Sequence, residues 1–169
     1  EKGRDFDDVL KEAQALGYAE EDPTFDIEGI DAAHKLSILA AIAFGTELQF
    51  DKVSTKGISD ITTEDIIHAS ELGYTIKHLG IAKRSGDGIE LRVHPTLVPN
   101  KQLIAQVDGV MNAVMVKSDA LGTSLYYGAG AGDEATASAV IADLNDIINN
   151  QTSNHILGWK SQQKLPVIK

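Results

Sequence analysis

The sequence predicts an α+β fold with a mostly antiparallel or mixed sheet, and three patterns carry that prediction. Helical periodicity dominates residues 5–72, strand-like runs separated by turn signals occupy 75–127, and a final helical pattern follows a glycine-rich turn over 133–149. Helices, then consecutive strands, then a helix is the order of a sheet with segregated helices rather than of alternating βα units.

Taken in order, Phe6, Val9, Leu10, Ala13 and Leu16 recur at helical spacing, with Asp5 as N-cap, Asp7 and Asp8 in the first turn and Gly17 as the stop. Residues 18–27 are irregular around Pro23, and a central helix is expected from about Glu28 to Phe44, ended by Gly45. Beyond Lys35 that helix is apolar all round, which implies burial on most sides. Short extended pieces fill 48–61, and Thr62 or Thr63 caps a helix over 64–72 that stops at Gly73. Strands are expected over 75–83 and 89–95, joined by the hairpin signal Ser85-Gly86-Asp87-Gly88. Pro95 and Pro99 bracket a loop, Lys101 to Ala105 suits one helical turn, and further strands cover 107–117, with Gly109 and Asn112 as candidate breaks, and 123–127. The polar stretch 150–169 reads as a tail or linker after a domain spanning 1–149.

At 169 residues the chain is long enough to bury a core without staples. A net charge of −10 argues against nucleic acid or an anionic membrane as the main partner. The absence of cysteine excludes a disulfide framework and any thiolate metal site. The apolar runs fall short of the ~18 residues of a membrane span, and residues 1–16 are too charged for a signal peptide. The default compartment is therefore the cytoplasm. The chain begins without Met and leads straight into a helix, so a fragment is expected.

The stretch 18–46 concentrates the chemistry. Asp31 and Lys35 are four apart and share a helix face. Such a pair is either an ordinary ion pair or an acid/base site. The apolar run behind Lys35 suggests a partly desolvated ammonium, and Glu20, Glu21 and Asp26 crowd the same approach. His34 neighbours Lys35 but is read as pointing off that face. The five histidines are dispersed and no HExxH occurs, which argues against a metal site. The GAGAG run, 128–132, suits either an anion at a helix N-terminus or close packing of a turn on a sheet, with Asp133 and Glu134 unfavourable beside a phosphate.

Four segments then resemble homoserine dehydrogenases, in the same order: GYAEEDPTFDIEGIDAAHK (17–35), LRVHPTLVP (91–99), VDGVMNAVMVKSDALG (107–122) and LYYGAGAGDEATASAVIADL (125–144). That family interconverts aspartate semialdehyde and homoserine with NAD(P)H, on the route to threonine, methionine and isoleucine. The resemblance implies that Lys35 is the catalytic acid/base and Asp31 its charged partner. It assigns Glu20 and Asp26 to the substrate's amino group and hydroxyl, Tyr18 to the same pocket, and Gly132 to a position near the nicotinamide nucleotide. It also implies a sheet covered on one side by helices, with strands at 78–97 and 107–127 pairing across a homodimer.

The departures are as informative. No glycine fingerprint of a nucleotide-binding domain occurs, the family's Asn-Gly-Thr segment is missing before Glu1, and the chain stops about where a regulatory ACT domain would begin. NAD or NADP would be bound mainly by the missing domain, and the isolated chain is expected to be inactive. The competing reading is a non-catalytic dimerisation or binding module with an acidic patch at 20–31.

Overall fold

A computed structural model describes residues 6–16, 21–130, 132–149 and 165–168, and divides the chain into two compact units, Glu1–Leu97 with His155–Lys169, and Val98–Asn154. The architecture is α+β, with small mixed and antiparallel sheets and helices, as the sequence pattern implies.

In the first unit, α1 spans Phe6–Ala15, α2 Thr24–Ile27 and α3 Ile30–Phe44. A 3-10 turn at Phe50–Lys52 and β1 (Ser54–Thr55) lead to α4 (Thr63–Glu71), β2 (Tyr74–Ser85) and β3 (Gly88–Pro99). The expected N-cap Asp5 and stop Gly17 lie outside the described residues. The sheet order is β1-β3-β2. β1 runs parallel to β3, Ser54 opposite Arg92 and Thr55 opposite Val93. Gly86 and Asp87 alone connect the neighbouring β2 and β3, and so tight a turn returns the chain antiparallel.

Alternation of side chains along β3 turns Ile89, Leu91 and Val93 to the interior, where they meet Ala33, Leu36 and Ala40 of α3. Burying Ile89 and Val93 completely stabilises the fold by about 1.5–3 kcal/mol each. Gly80 of β2 lets Leu36 seat directly on the strand, its Cδ1 only 3.4 Å from where a Cβ would stand.

The sequence pattern misplaces four details. The stretch around Pro23 contains the short α2, just before which Asp22 accepts from the Thr24 amide at 3.1 Å. The central helix starts at Ile30 rather than Glu28, because Gly29 adopts φ 76° and breaks the chain between α2 and α3. β3 continues through Pro95 to Pro99 instead of yielding to a loop. A proline nitrogen is tolerated there because β1 has already ended beside Val93, leaving no ladder partner on that side. Finally, residues 165–168 join the first unit: Val167 bridges Ile89, and Leu165 belongs to the core cluster. The buried Gln49 amide donates to the Leu165 carbonyl at 2.8 Å, and the Leu165 amide donates to the Thr46 hydroxyl at 3.3 Å.

In the second unit a 3-10 turn at Leu103–Gln106 precedes β4 (Met111–Ser118) and β5 (Gly122–Ala129), and α5 spans Asp133–Asn149. β4 begins four residues later than its apolar run suggests, since Gly109 at φ 62° interrupts the backbone. The strands pair antiparallel from Met111 opposite Ala129 to Ser118 opposite Gly122. No helix among the described residues is long and apolar enough to cross a membrane.

Candidate active site

α3 presents two unlike stripes. Ala33, Leu36, Ser37, Ala40 and Ala41 are buried, at the spacing of one helix face. Asp31, His34, Lys35, Ile38 and Ile42 recur at the same spacing on the other, where Ile38 and Ile42 are 49% and 53% exposed. The helix is therefore half-buried, not buried on most sides, because the core takes up only the stripe from Ala33 to Ala41.

On the open stripe the Nζ of Lys35 donates to Oδ2 of Asp31 at 2.5 Å. Asp31 occupies the first turn of α3, where the helix dipole favours a carboxylate, and an acid four residues before a lysine is the favoured orientation. The Lys35 side chain is 68% exposed and that of Asp31 35%, so the expected desolvation of the ammonium does not occur within this chain. An exposed pair of this kind contributes about 0–1 kcal/mol to stability. Its consequence is geometric: one N–H is held by Asp31, and an ammonium has three. A ligand oxygen on that face meets a positively charged donor whose stem is fixed by the helix.

The start of α3 is held from below. Gly29 lies against β2 and β3, so that a Cβ there would stand 2.7 Å from the His78 ring and 2.9 Å from Val93. His78 Nε2 is 2.9 Å from the Lys56 carbonyl, the Ile58 amide donates to the Ile27 carbonyl at 2.9 Å, and Ser59 donates to Glu28. Gly57 belongs to the same junction, since a Cβ would collide with Glu28. These contacts fix where Asp31 and Lys35 emerge.

Of the other expected site residues, Asp26 sits exposed on α2, which packs against α3. Tyr18 and Glu20 lie outside the described residues. Gly132 belongs to the second unit, at the start of α5, where its carbonyl accepts from the Thr136 amide at 3.1 Å and hydroxyl at 3.0 Å. Its φ of 105° is closed to L side chains without strain. A depression beside it is lined by Ala129, Gly132, Asp133, Glu134 and Ala135.

Sequence reasoning missed His34. It is exposed beside Lys35, and its ring stacks on Phe50 at 3.8 Å between centroids and lies 5.6 Å from Phe25 on a tilted approach. No local spacing signals this, because Phe25 and Phe50 reach the histidine from separate segments.

This α+β scaffold and its Asp-Lys helix have close relatives. A family model described as Homoserine dehydrogenase matches residues 1–145. The chain belongs to the homoserine dehydrogenase family. It is 68% identical over 154 residues to the homoserine dehydrogenase of Pseudomonas aeruginosa, covering 91% of this chain and 36% of that protein. The crystal structure of a homoserine dehydrogenase from Thiobacillus denitrificans superposes with a TM-score of 0.90 at 60% identity, over 99% of this chain and 40% of that one. A hyperthermophilic archaeal homoserine dehydrogenase in complex with NADPH is more distant, with a TM-score of 0.67 at 29% identity, over 88% of this chain and 42% of that one. The chain thus spans little more than a third of the length of its homoserine dehydrogenase relatives.

Proposed function

We propose that this chain is the substrate-binding and catalytic region of an NAD(P)-dependent homoserine dehydrogenase, acting in the cytoplasm and interconverting L-aspartate 4-semialdehyde and L-homoserine. Those compounds lie on the route to threonine, methionine and isoleucine. The observation that carries the reading is the Asp31–Lys35 pair, 2.5 Å apart on the open face of α3 in a member of this family.

Reduction of an aldehyde needs a proton donor at the oxygen that becomes an alkoxide. Lys35 donates that proton from Nζ as the carbonyl carbon gains a hydride, and regains one from solvent along its exposed side. In the opposite direction neutral Lys35 removes the hydroxyl proton. Asp31 holds the ammonium in place and keeps its charge compensated. Glu20 and Asp26 bind the substrate's ammonium and hydroxyl, and Tyr18 lines the pocket.

The nucleotide supplies the hydride when bound. Gly132 fits a role beside its nicotinamide end, because the open space around its backbone admits close approach. Asp133 and Glu134 in the first turn of α5 oppose a phosphate at this place, so the pyrophosphate belongs on a nucleotide-binding domain elsewhere in the parent protein. Without that domain the isolated chain has no dehydrogenase activity, and NAD and NADP both remain candidates.

A second copy of the chain is the expected partner, through the sheet. Val114, Met115, Val116, Tyr126 and Tyr127 are exposed on β4 and β5, and a two-stranded ribbon is marginal on its own. That same ribbon is what a non-catalytic dimerisation module would offer.

Kinetics of the full-length parent separate the two readings. Glu20→Gln is expected to raise KM for homoserine while leaving KM for a substrate analogue without the amino group nearly unchanged. Equal behaviour of the two substrates would contradict the assignment of the carboxylate.

A further inference from the structure

Asp26 and Lys35 are carried by different elements, α2 and α3, and Gly29 at φ 76° separates them. Their spacing therefore depends on how the four-residue α2 is held, since so short a helix has little stability of its own. Each of the two functional residues has an aromatic neighbour in sequence: Phe25 precedes Asp26, and His34 precedes Lys35. Those two neighbours meet, with ring centroids 5.6 Å apart and planes inclined by 31°. Phe50 stacks on the imidazole at 3.8 Å between centroids, inclined by 26°, from the 3-10 turn after α3. The three rings join α2, α3 and that turn across segments distant in sequence.

The stack sits on the open side of α3, outside the core cluster. Phe25 is 47% exposed, so its ring adds little to folding by burial. What the contact determines is where α2 lies against α3. We infer that His34 is a positioning residue, whose ring contacts with Phe25 and Phe50 set the distance from the Asp26 carboxylate to the Lys35 ammonium and so tune binding of the substrate. The inference rests on the dehydrogenase reading of Asp26 and Lys35.

The test is steady-state kinetics of the full-length parent with His34→Ala, His34→Phe and Phe50→Leu. His34→Ala removes both ring contacts and Phe50→Leu removes one; each is expected to raise KM for homoserine by about 2-fold or more, with the larger rise in His34→Ala and with kcat changed less than twofold. His34→Phe restores the stack without a titrating group and is expected to return KM to within about twofold of the wild type. An unchanged KM in His34→Ala, or a failure of His34→Phe to rescue, would overturn the inference. Asp26→Asn, measured alongside, identifies which step is at fault. If Asp26→Asn raises KM and His34→Ala does not, only the positioning role fails. If Asp26→Asn leaves KM unchanged, the carboxylate assignment beneath it fails as well.

Discussion

The Lys35 ammonium donates to the Asp31 carboxylate at 2.5 Å, one turn apart on α3, and both side chains lie on the stripe that the core leaves open. So exposed a pair adds little to stability, and the proposed function gives it a role in ligand contact. Asp31→Asn is accordingly expected to change the unfolding free energy by less than about 0.5 kcal/mol, the worth of an exposed helical ion pair. Turnover of the full-length parent is expected to fall by about 10-fold or more, since the charged partner of the acid/base is lost. Chemical denaturation and steady-state kinetics on the same variant check both halves.

Gly29 fixes where that pair emerges. Gly29→Ala places a Cβ 2.7 Å from the His78 ring and forces a left-handed backbone angle on an L residue. The backbone alone costs about 1–2 kcal/mol. With the collision added, the loss in unfolding free energy is expected to exceed about 2 kcal/mol. A denaturant midpoint equal to that of the parent would show that the α2–α3 junction is not held as described.

The capping box of α4 gives the fold an acid-sensitive element. The Asp65 carboxylate accepts from the Thr62 hydroxyl at 2.7 Å and the Thr62 amide at 2.9 Å, while the Asp65 amide donates back to the hydroxyl at 3.1 Å. The hydroxyl contact first, then the backbone one, holds the Asp65 carboxyl below its usual 3.8, against slight desolvation and with help from His68. A lowered folded-state value stabilises above the unfolded value and ceases to do so as pH falls through the folded one. The protection of α4 amides, relative to free amides at the same pH, is therefore expected to hold above about pH 4 and to fall below it. In Asp65→Asn that acid-dependent step should vanish. The Asp22 carboxyl, lowered by its contacts with Thr24, responds in the same direction at the start of α2.

Much of this was legible in the sequence, for identifiable reasons. Thr62 and Asp65 announce α4, Gly45 ends α3 with a left-handed backbone, and Gly86-Asp87 marks the hairpin, because each signal acts within a few residues. The contact between Asp31 and Lys35 was legible for the same reason. The open stripe of α3 was not, since Ile38 and Ile42 are as apolar as the buried residues and only the tertiary contacts choose between the stripes. His34 escaped for a related reason: its ring partners come from α2 and from the turn at Phe50–Lys52. Residues 165–168 show no strand pattern of their own; they meet β3 through backbone bonds from Ile89 to Pro166 and from Ile168 to Ile89, while the Gln49 and Thr46 side chains hold Leu165.

The most direct measurement is the turnover of Lys35→Ala in the full-length parent, assayed as NADPH-dependent reduction of aspartate semialdehyde at saturating substrate. Loss of a general acid at the reacting oxygen predicts a fall in kcat on the order of 10² or more, with the fold and nucleotide binding retained. A kcat near that of the wild type would contradict the assignment of Lys35 and leave this chain as a binding and dimerisation module.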